Sequence, residues 1–534
     1  MGLLFDSLIV ELLAFGLAAW ALFYWYATKN YNYWQSKGVP TVKKLTPLLG
    51  TMAETFTLTT QLGIFYQKMY NELDGERFGG YYKLRDPALL IRDPELIKSV
   101  LVKDFHSFHD NDIHINESND PMLAYNIFSI HGPRWKYLRT RLTPAFTSGK
   151  MKMMFPLMLE VCDELKKHIQ RAAEKKEGLE TKRLAASYTT DNVGTCAFGV
   201  KCNSLENENN TFRQMGLELV TVGPVRGLML MIVLFCPKLG DLLGLKFISD
   251  KLANFFRKMV KDAMEYREKN NVTRQDFIHL LMQLKKKGQL EADPADKSEK
   301  QENGTKQENG APDNYEESGK LDFTHDVLTA QAVGFFGDGF ETSSTALGFA
   351  IFEIAYHQDV QDRVREEIED VLEKHGGKLC YEAIQEMPYL DRVISETLRM
   401  YPPAGAINRL CTQRYQIPGS DLKIEVGTTV SVPVYALQHD PKYWPEPERF
   451  DPDRFTEENK KDRVPYTFLP FSEGPRICIG MRFAQTQIKA ALVTIVKNFN
   501  LKPTGQTEYP VELDPNFFLI HPKNGLHVSF EKRN

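Results

Sequence analysis

The sequence contains no Cys-x-x-Cys pair among its seven cysteines, which are scattered at positions 162, 196, 202, 236, 380, 411 and 478. An odd and dispersed set excludes a zinc knuckle and a disulfide framework, and it is typical of reduced thiols in the cytosol. One-sided charge is also missing, since 66 Lys and Arg accompany 70 Asp and Glu for a net charge of −4. The composition therefore gives no reason to expect nucleic-acid binding.

Two further patterns are missing. No Gly-x-Gly-x-x-Gly sequence follows a predicted strand, so the chain lacks the fingerprint of a nicotinamide- or flavin-binding domain. An Arg- and Ser-rich presequence is absent as well, which argues against mitochondrial import. Any reducing power that the protein uses must therefore come from another molecule.

One long apolar run is present near the N-terminus, where residues 12–28 carry no charge and end in an aromatic cluster. Its length is at the short end for a bilayer span, which takes about 17 to 25 residues. Lysines follow the run and acidic residues precede it, so the lysine bias places the chain after residue 30 in the cytosol. We predict an uncleaved membrane anchor over residues 1–28. A cleaved secretory signal is the alternative, but a basic start and a small-residue cleavage site are missing.

The remainder divides into a short connection and one large body. Glycines and prolines in residues 29–50 predict a hinge, and residues 51–534 are predicted to form a single catalytic domain. Apolar periodicity predicts a mainly α fold with small β-sheets (α+β). The helices are predicted at 151–173, 251–284, 323–356, 361–374 and 387–400, and a hairpin at 79–84 and 88–91.

Two segments have their own composition. Residues 285–320 are polar and contain a short direct repeat of Lys-Gln-Glu-Asn-Gly, which predicts a disordered surface insertion, with a partner-binding segment as the alternative. Residues 228–236 form an apolar run that is too short to span a bilayer. This run is either an ordinary core helix or a patch that dips into the membrane.

The most informative segment for chemistry runs from Phe471 to Gly480 and reads FSEGPRICIG. A cysteine thiolate that binds iron needs a lowered pKa, which backbone N–H groups at the start of a following helix would supply to Cys478. Gly474 and Gly480 would take left-handed conformations and approach a flat macrocycle closely. Phe471 would shield the sulfur, and Arg476 would pair with a propionate. The alternative is that Cys478 is merely a small buried residue.

The spacing F-x-x-G-x-R-x-C-x-G resembles the haem-binding loop of the cytochrome P-450 family. Two other segments are similar to family motifs: residues 396–399 match E-x-x-R, and residues 452–455 resemble P-E-R-F with aspartate in place of glutamate. The resemblance implies haem b, held between a long distal helix and the cysteine loop, with Cys478 as the axial ligand of the iron. It also implies a buried charge triad of Glu396, Arg399 and Arg454. Thiolate ligation favours O–O cleavage.

A further similarity lies at residues 337–342, within the predicted distal helix. Glycines at 334, 337 and 339 would each cost about 1 kcal/mol in a helix interior, so either close packing or an opening above the haem must offset them. In the family, residues at the places of Glu341 and Thr342 belong to a proton-delivery network, and Thr342 is the candidate general-acid relay. Asp338 departs from the pattern, because alanine or glycine is usual there. It either forms hydrogen bonds within the helix groove or directs substrate preference toward polar or basic groups.

Other haem contacts follow from the resemblance. Trp135 and Arg139 match a W-x-x-x-R helix that meets a propionate, and Arg409 stands where another propionate partner is expected. A solvated basic face is the alternative for residues 134–141. Some of these charges, with Lys136, Arg141 and Arg482, are candidates for docking an acidic redox partner.

Residues 105–110, 142–152 and 196–199 resemble insect members of the family that are related to vertebrate drug-metabolising enzymes. This implies a monooxygenase that inserts one atom of O2 into an apolar small molecule, either a xenobiotic or an endogenous lipid or hormone. Electrons would come from NADPH through a reductase, with cytochrome b5 as an auxiliary partner, on the cytosolic face of the endoplasmic reticulum membrane. Two other classes stay open: an electron-independent haem-thiolate isomerase or dehydratase, and a non-catalytic haem-binding protein.

Overall fold

A computed structural model describes residues 8–207, 209–220, 224–274, 276–288 and 319–533. The predicted fold class is confirmed, because helices form most of this structure and the sheets are small. The helices are α1 (Leu8–Thr28), α2 (Tyr33–Ser36), α3 (Ala53–Phe56), α4 (Leu62–Glu72), α5 (Pro94–Lys98), α6 (Pro121–Ala124), α7 (Gly132–Leu142), α8 (Ser148–Glu174), α9 (Thr181–Val193), α10 (Thr211–Val220), α11 (Pro224–Phe235), α12 (Pro237–Leu242), α13 (Asp250–Asn270), α14 (Phe277–Lys287), α15 (His325–Tyr356), α16 (Gln358–Lys374), α17 (Tyr381–Gln385), α18 (Pro388–Met400), α19 (Val434–Gln438), α20 (Glu457–Asp462) and α21 (Met481–Asn498).

The strands form three sheets. Their bounds are β1 (Phe78–Lys83), β2 (Asp86–Ile91), β3 (Asp110–Asn111), β4 (Leu179–Glu180), β5 (Ile407–Leu410), β6 (Tyr415–Gln416), β7 (Lys423–Ile424), β8 (Thr429–Val432), β9 (Phe499–Pro503) and β10 (His527–Lys532). The largest sheet has the order β1-β2-β8-β5-β3, the second β4-β10-β9, and the third β6-β7. The predicted hairpin is present as the antiparallel pair of β1 and β2.

The register of the largest sheet brings together residues from distant parts of the chain. Strand β3 runs antiparallel to β5, so that Asn111 lies opposite Arg409 and Asp110 lies opposite Leu410. These strands are separated by about three hundred residues of chain, which no local pattern in the sequence bridges. The sheet edge therefore fixes Arg409 beside the side-chain amide of Asn111.

The helix predicted over residues 251–284 is in fact two helices, α13 and α14. The first ends at Asn271, which takes a left-handed φ of 50°, and Asn is one of the residues that tolerate this conformation at a helix end. The Asp276 side chain then accepts a hydrogen bond from the His279 N–H and caps α14. Apolar periodicity continues on both sides of the break, so it could not reveal the break.

Residues 29–50 were predicted to form a hinge, but much of this stretch is packed against the body. The Trp34 side chain is fully buried, its indole N–H donates to the Tyr81 carbonyl at 3.2 Å, and it lies against Gly80, where any Cβ would collide with it. The Tyr82 hydroxyl donates to the Tyr31 carbonyl at 2.7 Å. Because strand β1 holds this segment by specific contacts, it is a packed connection rather than a free one.

The distal helix α15 forms the centre of the larger hydrophobic core and packs along α9. Its glycines are explained by close packing. A Cβ at Gly334 would collide with the Asn126 side chain, and a Cβ at Gly337 would collide with Leu219. The structure therefore favours the packing explanation for these two positions over an opening above the haem.

Two segments singled out in the sequence remain. Residues 289–318, which hold most of the predicted insertion at 285–320, lie outside the described residues. The apolar run 228–236 lies mostly within α11, where Leu230 and Val233 are buried while Leu228 is exposed. Exposed leucines follow at positions 239, 242 and 243. This helix therefore packs on one face and leaves an apolar face uncovered.

Candidate functional site

The cysteine loop is held by its own backbone. The Cys478 N–H donates to the Phe471 carbonyl at 2.9 Å, which closes the loop on itself. Gly474 has a left-handed φ of 76°, and a Cβ there would collide with the Leu101 carbonyl oxygen. The predicted need for glycine at this position is confirmed.

Gly480 behaves differently from the prediction. Its φ is −89°, an ordinary value, so the expected left-handed turn is wrong at this position. Gly480 instead stands at the start of α21, and a Cβ on it would meet no heavy atom within 4 Å. The residue therefore faces open space beside Cys478, which a flat ligand could occupy.

The Cys478 thiol lies at an opening inside the protein. Its side chain is exposed, yet surrounding protein raises its pKa by desolvation, and the charge of Asp338 raises the pKa further. A hydrogen bond from the Gly480 backbone and the charge of Arg139 oppose this rise without cancelling it. The predicted backbone N–H is therefore present, at Gly480, although its effect on the pKa of the thiol is smaller than that of desolvation. A coordinated metal cation is what deprotonates such a thiol.

Two residues of the distal helix lie across this opening. Asp338 is exposed, and its influence on the pKa of Cys478 shows that the two side chains are close enough to interact electrostatically. The Thr342 hydroxyl donates to the Asp338 carbonyl at 2.5 Å. The sulfur and the carboxylate thus lie near each other although they come from two distant parts of the chain, and the Thr342 hydroxyl lies one helical turn after Asp338.

A cluster of buried arginines lies beside the cysteine loop. Arg409 donates to Asn111 Oδ1 at 2.7 Å and to Ser472 Oγ at 3.2 Å, and burial lowers its pKa to about 10. Its buried Nε has no hydrogen-bond partner among the described residues. An unsatisfied buried guanidinium nitrogen is costly, which fits a site that takes an anionic group.

Arg476 and Arg139 complete the cluster. The Arg476 guanidinium lies 4.2 Å from the Trp135 ring and donates to the Ile130 carbonyl at 3.1 Å and to Asp110 Oδ1 at 3.4 Å. Burial, then the nearby Arg409 charge, lowers the pKa of Arg476 to about 9. Arg139 Nη2 donates to the Ile477 carbonyl, next to the cysteine, at 2.7 Å. Three guanidinium groups accompany one carboxylate, so the pocket carries excess positive charge.

The expected charge triad is present as a set of close contacts. Arg399 donates to both oxygens of Glu396, at 2.7 and 2.9 Å, and both side chains are fully buried. Arg454 Nε lies 3.3 Å from Glu396 Oε1. The Asp451 N–H donates to the same oxygen at 2.9 Å. Glu396 is thus surrounded by donors, as a buried carboxylate must be.

Gln438, which the sequence did not single out, links this triad to the cysteine loop. Its backbone carbonyl accepts a hydrogen bond from Arg399 at 2.9 Å. Its side-chain oxygen accepts a hydrogen bond from the Leu469 N–H at 2.8 Å, two residues before Phe471. A fixed position for the cysteine loop therefore depends on the Glu396–Arg399 pair through a chain of hydrogen bonds.

Glu341 does not stand free near the opening. Lys182, from α9, donates to Glu341 Oε1 at 2.9 Å and to Ser344 Oγ at 2.8 Å, and the lysine and glutamate side chains are both buried. Lys182 was missed in the sequence because a lysine at a helix start is ordinarily solvated. The only available signal was that Glu341 needed a cationic partner.

These residues fit a haem. The opening has an accessible thiol on one side and the distal helix on the other, and Gly480 leaves room beside the sulfur. The buried arginines, one of which has an unsatisfied nitrogen, offer partners for propionates. Cys478 would hold the iron, while Arg139, Arg409 and Arg476, with Trp135, would hold the propionates.

Comparison with known proteins agrees with this geometry. The family model described as cytochrome P-450 matches residues 40–528. Among similar proteins, cytochrome P-450 9e2 of Blattella germanica is 40% identical over 526 residues, which cover 96% of each chain. Cytochrome P-450 6k1 of Blattella germanica is 39% identical over 95% of this chain and 94% of its own. Cytochrome P-450 6a2 of Drosophila melanogaster is 38% identical over 94% of this chain and 96% of its own. The chain belongs to the cytochrome P-450 family and is an oxidoreductase, a haem-thiolate monooxygenase.

Proposed function

We propose that this monooxygenase inserts one atom of O2 into apolar small molecules, xenobiotics in the first place, with electrons that reach it from NADPH through a flavoprotein reductase. The observation that carries the proposal is the Cys478 thiol, which lies at an internal opening and is held there by the hydrogen bond to Phe471 and the turn at Gly474. When bound, haem b supplies the activation of oxygen. Similar insect enzymes support the chemistry, whereas the substrate is an inference from the resemblance.

Each site residue has a proposed task. Arg139, Arg409 and Arg476, with Trp135, hold propionates, and Arg139 also holds the loop through its hydrogen bond to the Ile477 carbonyl. Thr342 passes a proton into the cavity. Before this transfer, its hydroxyl donates a hydrogen bond to the Asp338 carbonyl. Glu341 would reach Thr342 only by loosening its contact with Lys182, which holds the Glu341 side chain at 2.9 Å.

The proposed location is the endoplasmic reticulum membrane, with the catalytic body on the cytosolic face. Support comes from α1, whose residues Ile9–Thr28 are long and apolar enough to cross a bilayer and are almost entirely exposed. A reductase in the same membrane would dock on basic residues that include Lys136, Arg141 and Arg482, with cytochrome b5 as an auxiliary donor. The exposed leucines of α11 and α12 are proposed to contact lipid.

The test is to replace Cys478 with serine and to compare the carbon monoxide difference spectra of the reduced proteins. We expect the thiolate-type band of the wild type to disappear in Cys478→Ser and to persist in a matched control, Cys380→Ser, whose cysteine lies on the partly exposed start of α17. An unchanged band in Cys478→Ser would overturn the proposal.

A second measurement concerns the electrons. NADPH consumption and an oxygenated product should both require added reductase. Turnover without reductase would instead indicate an electron-independent isomerase or dehydratase, and haem binding without any turnover would indicate a binding protein.

A further inference from the structure

Asp338 is a carboxylate with an unusual position. It lies in the middle of the distal helix and faces the opening that Cys478 faces from the other side. Although the side chain is exposed to this opening, the surrounding protein desolvates the carboxylate and raises its pKa to about 6. Within the described residues, no neighbouring charge offsets the cost of desolvating this carboxylate.

The side chain also has no internal partner that would explain it. The Thr342 hydroxyl donates to the backbone carbonyl of Asp338 rather than to its carboxylate. No hydrogen bond or ion pair of the Asp338 side chain is found within the part of the chain that the structure describes. The first explanation offered by the sequence, a hydrogen bond in the helix groove, therefore has no support there.

Glu341 provides an internal contrast. It stands less than one helical turn from Asp338 on the same helix, yet it is buried and paired with Lys182 at 2.9 Å. Lys182 also donates to Ser344 at 2.8 Å, so its ammonium is engaged away from Asp338. The fold thus supplies a cation for one carboxylate of the distal helix and leaves the other facing the cavity.

We propose that Asp338 is a specificity-determining residue that selects substrates carrying a positively charged nitrogen. The ammonium group of the substrate lies against the Asp338 carboxylate, and the apolar remainder of the substrate fills the cavity. This inference rests on the proposed function, since it names the chemical class of molecule that the same site takes. The expected class is organic amines that are protonated at neutral pH, and quaternary ammonium compounds.

Charge supports a cation over a neutral hydrogen-bond donor. An anion in a desolvated site is stabilised much more by an opposite charge than by a neutral dipole. The positive groups nearest the opening, Arg139, Arg409 and Arg476, are held on the cysteine-loop side by the carbonyls of Ile477 and Ile130 and by the side chains of Asn111, Ser472 and Asp110. They are therefore not free to cross to the distal helix.

The test uses two probes that have the same shape and differ only in charge: a phenylalkyl trimethylammonium ion and its uncharged tert-butyl isostere. Neither probe has a nitrogen lone pair, so neither can bind iron through nitrogen, and the ammonium probe keeps its charge at every pH. Binding is measured by equilibrium dialysis on the haem-loaded protein. We expect the wild type to bind the cation at least about tenfold more tightly than the isostere, and Asp338→Asn to reduce this preference to about twofold or less.

The control variant is Asp462→Asn, which removes an exposed carboxylate at the end of α20 and should keep the wild-type preference. Equal affinity of the wild type for the two probes would overturn the inference, and so would a preference that persists in Asp338→Asn. The wild-type comparison stands even if the variant fails to fold. A thiolate-type carbon monoxide band in the same preparation shows that the proposed function holds while this inference fails.

Discussion

Two of the buried ion pairs among the described residues look alike and are built differently. Arg399 binds Glu396 through two nitrogens, and its other contacts reach the backbone carbonyls of Gln438 and Pro447. Lys182 binds Glu341 through a single ammonium that it shares with Ser344. The first pair is saturated, because every guanidinium nitrogen of Arg399 donates a hydrogen bond. In the second pair, the ammonium donates to a single carboxylate oxygen.

This difference matches what each pair must do. A planar guanidinium whose nitrogens are all hydrogen-bonded is held rigidly. The Arg399 pair therefore suits its place behind the cysteine loop. An ammonium is a compact charge on a flexible stem, so its contact with a carboxylate can open at lower cost. The comparison teaches that burial alone does not make an ion pair structural. The number of donors and the shape of the cation decide it.

Breaking the saturated pair should have the largest effect. Arg399→Met strands the Glu396 carboxylate in the core, and we expect a loss of about 3 to 5 kcal/mol in the free energy of unfolding, with loss of bound haem. Urea unfolding and the carbon monoxide band measure these effects. The double variant Glu396→Gln/Arg399→Met should recover part of the loss, since it removes the stranded charge. A loss below about 1 kcal/mol for the single variant would contradict the comparison.

Breaking the second pair should cost less. Lys182→Met leaves Glu341 without its ammonium, but the lost contact is a single hydrogen bond to a charged group, so we expect a loss of about 1.5 to 3 kcal/mol. The same urea titration measures it, and Lys182→Met/Glu341→Gln serves as the control. If Lys182→Met were as destabilising as Arg399→Met, the proposed difference between the two ion pairs would be wrong.

His439 sharpens the comparison through pH. Burial, then the charge of Arg399, lowers the pKa of this histidine to about 3 in the folded protein. The unfolded chain therefore binds a proton at His439 near pH 6.5, whereas the folded chain does not. The contribution of His439 to the free energy of unfolding is fully present above that pH and is lost as the pH is lowered. At pH 5.5 we expect a loss of about 1.4 kcal/mol relative to neutral pH. His439→Asn should remove this part of the pH dependence, and an identical slope in both proteins would refute the assignment.

An exposed pair should give the smallest effect. Arg363 donates to both oxygens of Asp453, at 2.9 and 2.8 Å, and both side chains are 45% exposed. Despite this good geometry, solvent screens the pair, and Asp453→Asn should cost less than about 1 kcal/mol. Urea unfolding at low and high salt measures it. A loss above about 2 kcal/mol would show that geometry outweighs burial here.

Much of this architecture was accessible from the sequence. Helical periodicity predicted four of the five long helices to within a few residues, because each buries a continuous apolar face. The Glu396–Arg399 contact was also predictable, since both residues lie one helical turn apart on α18. Local geometry fixes such features.

The features that were missed depend on contacts between distant segments. Lys182 meets Glu341 only because α9 packs along α15 in one register, and Asn111 meets Arg409 only because β3 pairs with β5. Gly480 was misjudged for a related reason. A glycine in a motif signals a special requirement, but the sequence does not say whether that requirement is a backbone angle or empty space.

The packed connection after α1 has a consequence for how the enzyme meets a membrane. The Arg85 guanidinium lies 3.6 Å from the Tyr26 ring, and Trp34 is already buried in the body. With α1 in a bilayer, the connection between α1 and the catalytic body would allow almost no movement. The catalytic body could neither swivel widely nor drift away from the lipid headgroups, so the height and tilt of the substrate entrance would be set by the protein itself.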